Sequence, residues 1–100
     1  LIVLKKDQRR ESFDKNKLKT GILKACEKRP VPMEKIEQIT DRIETELLQL
    51  KRKEISSNLI GEKVMKELKK LDNVAYIRFA SVYRDFKDVD DFKKEIKQLR

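Results

Sequence analysis

Leu1-Ile2-Val3-Leu4-Lys5-Lys6-Asp7-Gln8-Arg9-Arg10-Glu11-Ser12-Phe13-Asp14-Lys15-Asn16-Lys17-Leu18 opens the chain and decides its class. Leu1 to Leu4 are apolar and partly β-branched, which is the composition of a strand. Arg10-Glu11-Ser12-Phe13 is its expected partner, with Lys6-Asp7-Gln8-Arg9 as the hairpin turn between them. Asp suits such a turn, whereas Gln8 stands where a tight primed turn favours glycine. Asp14 offers a carboxylate to the first amides of a helix, and Leu18, Ile22, Ala25 and Cys26 follow at helical spacing. A hairpin feeding directly into a helix makes the chain α+β from the outset.

Working outward, Pro30 ends the first helix, because the residue before a proline is pushed out of the α region. Pro32 fits the first turn of a second helix, whose core stripe is Ile36, Ile39, Ile43, Leu47 and Leu50, with Thr40, Asp41 and Glu44 off it. Lys51-Arg52-Lys53-Glu54 breaks the pattern, and Ile55 adds one short strand to the hairpin. Ser56 or Ser57 caps a third helix along Ile60, Val64, Leu68 and Leu71. Asp72 caps a fourth, in which Val74, Ile77, Phe79, Val82 and Phe86 cover more than one face, so it is predicted to be central. Asp88 caps a fifth, with Val89, Phe92, Ile96 and Leu99 as a stripe that must dock on this domain or on another copy. The expectation is a mostly α fold of five helices and a small sheet, forming a single domain over residues 1–100.

Composition narrows the function. Charged residues make up 44% of the 100 residues, against about 25% in ordinary domains. The apolar residues are gathered into helical stripes, however, so the chain folds rather than remaining disordered. There is no His, and Cys26 is the single cysteine. An intrachain disulfide and a CxxC zinc site are excluded, and a reducing intracellular setting is compatible. No apolar run is long enough to cross a membrane. Gly21 and Gly61, the only glycines, lie too far apart for a P-loop or a dinucleotide-binding fingerprint. Catalysis is poorly supplied: the carboxylates lie mostly opposite the apolar stripes, and Cys26 falls on an apolar helix face as a small hydrophobe. The chain reads as a non-enzyme.

Phosphate binding is better supplied. Ten of the 26 Lys and Arg side chains but only four of the 18 acidic ones fall in residues 1–29. Such a field attracts phosphates, although a solvated basic hairpin without a ligand accounts for the charge as well. Strand alternation puts Val3 and Lys5 on one face, and Lys17 sits in the first turn of the helix, near its positive end and free amides. Together these make a plausible polyphosphate cradle. Glu11, an acceptor when ionised, suits a base amino group. Tyr76, Phe79, Tyr83 and Phe86 recur at helical spacing, and the Tyr83 hydroxyl suits a pocket lining.

Val3-x-Lys5-Lys6-Asp7-x-x-x-Glu11-x-Phe13-Asp14-x-x-Lys17-Leu18 resembles the opening of an ATP-cone, the small regulatory nucleotide-binding domain at the start of many ribonucleotide reductases. Ala25-Cys26-Glu27-Lys28-Arg29-Pro30-Val31, Ile60-Gly61-Glu62-x-Val64-Met65 and the tract from Val74 to Arg84 are similar to the version in the NrdR family of bacterial repressors of ribonucleotide reductase genes. The resemblance implies a three-stranded sheet capping a four-helix bundle, with an added C-terminal helix and with ATP or dATP between sheet and bundle. By position it implies that Val3 packs on the base, that Lys5, Lys6 and Lys17 meet the phosphates, that Glu11 helps hold the adenine, and that Tyr83 lines the pocket. It also implies a cytoplasmic protein whose nucleotide state switches its homo-oligomeric form, with Phe92, Ile96 and Leu99 as the candidate self-association surface. Such repressors carry a four-cysteine zinc ribbon before the cone. It has no counterpart here, so zinc and contact with operator DNA are implied only for an intact parent protein, and the chain reads as an excised domain or a stand-alone cone. Gln8 departs from the family's usual glycine. Two rival readings are a structural oligomerisation module and a non-specific basic nucleic-acid binder.

Overall fold

A computed structural model describes residues 1–99. Its elements, in chain order, are β1 (Ile2–Leu4), β2 (Arg10–Ser12), α1 (Lys15–Ala25), α2 (Met33–Gln49), β3 (Glu54–Ser56), α3 (Ser57–Leu71), α4 (Asn73–Tyr83) and α5 (Val89–Lys97). The sheet order is β2-β1-β3, with β1 antiparallel to β2 and parallel to β3. Val3 pairs with Glu11 on one side and with Ile55 on the other. Strand alternation therefore sends these three side chains to one face. Val3 and Ile55 are buried there, so the inner face of the sheet closes one end of the helical bundle. The α+β expectation, with a small sheet capping four helices and a fifth appended, holds.

The hairpin turn has the form expected of a short connection containing one left-handed residue. The Gln8 amide donates to the Lys5 carbonyl at 3.0 Å, and the Lys5 amide donates to the Arg9 carbonyl at 2.8 Å. Gln8 takes the left-handed position, with φ 75°. Asp14 caps α1, accepting from the amides of Asn16 (2.9 Å) and Lys17 (3.3 Å). Ser56 ends β3 and caps α3 through the Leu59 amide at 3.2 Å, so strand and helix join without a linker.

The core runs along the predicted stripes through Ile22, Ala25 and Cys26 of the first helical segment, Ile36, Ile39, Ile43 and Leu47 of α2, and Val64 and Leu68 of α3, and Met65 of α3 joins it. Several expectations are corrected. Thr40 is buried, because its hydroxyl donates to the Ile36 carbonyl one turn back at 2.8 Å and needs no water. Leu50 lies past the end of α2 and is exposed. Asp72 stands at the N-cap of α4 as expected, but its side chain makes no capping hydrogen bond there. Its carboxylate instead accepts two bonds from Arg29, at 2.7 and 3.1 Å, and this pairing holds its pKa below the ordinary carboxylate value. α4 is central as expected, packing on α1, α3 and α5 with Ala75, Tyr76 and Ala80 buried and Ile77, Phe79 and Phe86 packed against the core, but Val74 and Val82 are exposed, Val82 to 81%. In α5 the inward position belongs to Glu95, while Val89 and Ile96 face solvent, Phe92 is half-exposed with its ring edge-on to Phe86 at 4.9 Å, and Leu99 packs on the core.

Candidate functional site

A cleft of about 470 Å³ opens between the inner face of the sheet, the start of α1, and the facing walls of α3 and α4. Val3, Lys5, Lys6, Glu11, Lys17 and Tyr83 all line it. The hairpin alternation delivers Val3 and Lys5, the cross-strand register delivers Glu11, the first turn of α1 delivers Lys17, and the last residue of α4 delivers Tyr83.

Its two ends differ in chemistry. The inner part is apolar, formed by Val3, Leu18, Ile60, Val64 and Phe79, and the polar rim carries the cations Lys5, Lys6, Arg9 and Lys17 beside the carboxylates of Asp7, Glu11 and Asp14. A ligand with a flat apolar body and an anionic tail matches such a cleft, since apolar walls bury the body and a few placed charges orient it. On the rim, Lys17 Nζ lies 3.1 Å from Glu11 Oε2. This contact, with Lys5 and Arg9 nearby, holds the Glu11 carboxyl below its usual pKa. Glu11 is therefore an ionised acceptor, already paired with one of the cations a phosphate would engage.

The α1 amides are not open to an anion in this state. The Asp14 cap expected from the sequence takes those of Asn16 and Lys17, so α1 contributes the positive end of its dipole and the Lys17 side chain rather than the free amides expected of the cradle. Lys6 reaches across the rim: its Nζ donates to the Tyr83 carbonyl at 2.7 Å and lies 4.7 Å from the centre of the Tyr83 ring. The Tyr83 hydroxyl donates to the Asn58 carbonyl at 3.0 Å. Burial, followed by the nearby Glu62 charge, raises its pKa, so it stays a neutral phenol.

Sequence reasoning missed two contributors. Arg9 lines the rim, and its Nε lies 2.6 Å from Asp7 Oδ2 within the turn. Gly61 is needed for the Tyr83 ring to lie flat on α3, since a Cβ there would come within 2.1 Å of the ring. A glycine in a helix interior, which costs up to about 1 kcal/mol relative to alanine, was the available signal. Among the described residues, no group of three or more His, Cys, Asp or Glu side chains is placed to hold a metal ion, and no helix is long and apolar enough to cross a membrane. Cys26 is buried, and its burial raises the thiol pKa, which keeps it unreactive.

A family model described as "ATP cone domain" matches residues 1–89. Among curated proteins, the chain is 58% identical over 99 residues to the transcriptional repressor NrdR of Symbiobacterium thermophilum, covering 99% of this chain and 66% of that protein. It is 57% identical to the transcriptional repressor NrdR of Pelobacter propionicus, over 98% of this chain and 65% of the relative. It is 54% identical to that of Caldicellulosiruptor bescii, over 99% and 65%. The chain spans just under two thirds of the length of these relatives, and they are named as repressors rather than as enzymes.

Proposed function

The chain belongs to the ATP-cone family, and from that premise we propose that it is the nucleotide-sensing domain of a bacterial repressor of ribonucleotide reductase genes. In this reading residues 1–100 form one domain that binds ATP or dATP in the cleft between sheet and bundle. The bound nucleotide sets the self-association of the protein and thereby the operator binding of the intact repressor in the cytoplasm. Zinc, where the parent protein has it, belongs to a segment outside this chain. Val3 and the apolar walls take the base, Glu11 accepts from its amino group, and Lys5, Lys6 and Lys17 hold the phosphates. Tyr83 closes the α4 side.

The observation that carries the reading is the convergence of these residues, from four different elements, on one cleft whose depth is apolar and whose rim is cationic. A cationic surface serving nucleic acid in general would not need an apolar hollow behind it. Calorimetric titration with ATP and dATP tests the binding step. Saturable heat is expected, and Lys17→Ala should weaken binding about 10- to 100-fold, the range for losing a charged hydrogen bond. Light scattering with and without dATP tests the assembly step, where an unchanged mass at saturation would contradict it.

A further inference from the structure

One side chain of the hairpin turn crosses to the far wall of the cleft, and what it touches there is unusual. α4 ends in a Schellman arrangement. The Phe86 amide donates to the Ser81 carbonyl at 2.9 Å and the Asp85 amide to the Val82 carbonyl at 3.2 Å, while Asp85 sits in the left-handed region at φ 53°. The Arg84 amide takes the Ala80 carbonyl at 2.8 Å. This pattern occupies the carbonyls of Ala80, Ser81 and Val82 and passes over that of Tyr83, one of the orphan acceptors every helix end leaves. Lys6 supplies its donor at 2.7 Å. The ammonium thus caps the negative end of α4 from another element.

The next residue holds α5. Arg84 Nη1 lies 2.7 Å from Glu95 Oε1. Glu95 is only 3% exposed and also accepts from the Tyr76 hydroxyl at 2.7 Å. A charge buried in this way is tolerated only while its partners stay in place. The turn that Lys6 caps therefore carries the cation on which α5 depends.

We propose that Lys6 is a latch, its ammonium held either by the Tyr83 carbonyl or by the polyphosphate of a ligand in the cleft, so that filling the cleft uncaps α4 and loosens α5. The inference rests on the nucleotide reading above and supplies its missing link, a route from the cleft to a helix outside it. The ammonium makes both bonds charge-assisted, but a phosphate adds a full opposite charge that the neutral carbonyl lacks, so the ligand wins the competition.

Amide hydrogen exchange over residues 84–97 reads the latch. In the nucleotide-free protein, Lys6→Met keeps the aliphatic stem but has no donor. It should exchange about 2- to 5-fold faster than wild type in this segment, the range set by one helix-terminal cation. Lys6→Arg should retain protection. Saturating dATP should bring wild type to the Lys6→Met level. Unchanged protection in free Lys6→Met overturns the proposal, as does dATP that binds by calorimetry yet leaves residues 84–97 unaltered in wild type. Absence of any dATP heat with wild type would overturn the nucleotide reading and the latch together, which separates the two failures.

Discussion

Gln8 and Gly61 show what a single position contributes. A side chain held in the left-handed region costs about 1–2 kcal/mol, and glycine at the same place loses part of that gain to its greater unfolded-state freedom. Gln8→Gly is therefore expected to raise stability by about 0.5–1 kcal/mol in thermal or denaturant unfolding, with the cleft unchanged. Gly61→Ala acts in the opposite direction. Its Cβ would lie 2.1 Å from the Tyr83 ring, so the ring must leave α3, at an overpacking cost of about 1–3 kcal/mol and with loss of the cleft wall that Tyr83 forms. The poor fit of Gln8 is visible in the sequence because turn chemistry is local. The need for Gly61 is not, because it arises from an aromatic ring 22 positions further along the chain that reaches it only once α4 is docked.

Among elements, the helices with continuous apolar stripes follow from periodicity, since nothing competes for their buried faces. α5 does not. Val89, Phe92 and Ile96 have the spacing of a buried stripe, but the helix is turned so that Glu95 faces inward. A buried carboxylate is acceptable only because Tyr76 and Arg84, both outside α5, meet it, and no property of the α5 segment announces them. Asp72 is a parallel case: a residue read as a cap is diverted by Arg29, 43 positions earlier.

The Tyr76–Glu95 contact makes a titration testable. Burial first, and then the hydrogen bond to Glu95, push the Tyr76 phenol up from 10.0 to about 12. A folded-state pKa above the unfolded one contributes stability that is complete below pH 10 and is lost as pH rises through about 12. Tyrosinate absorbance should accordingly show both tyrosines ionising above the ordinary value, with Tyr76 near 12, and Glu95→Gln should bring the Tyr76 step back toward the ordinary value. A titration unaltered by Glu95→Gln would mean that α5 is not docked through this bond. At the acid end, the Arg29–Asp72 pair acts in the reverse sense. Its depressed carboxyl pKa contributes stability above about pH 4 that fades as the carboxylate protonates at lower pH.

At the scale of the whole molecule, a chain of net charge +8 sets Lys5, Lys6, Arg9 and Lys17 on the lining of one hollow, and the consequence of filling it is a ligand-dependent stability. A ligand bound only by the folded state adds about 2.7 kcal/mol at a concentration 100 times its Kd. Saturating dATP should therefore raise the midpoint of thermal unfolding by several degrees. Lys17→Ala should blunt the shift, whereas Lys28→Ala, remote from the cleft lining, should preserve it. The cradle itself could be drawn from strand alternation and first-turn spacing. The Asp14 cap on its amides is equally local and legible, whereas the engagement of Lys6 by Tyr83 is not, because it depends on where α4 comes to rest.

If this hollow receives an adenine nucleotide with its phosphates toward Lys5, Lys6 and Lys17, crystals of the protein soaked in dATP will show it. Density is expected for the base against Val3 and for the triphosphate among the three lysines, with the Lys17–Glu11 and Lys6–Tyr83 contacts rearranged. An empty hollow, with both contacts intact at a nucleotide concentration that saturates other ATP cones, would contradict it.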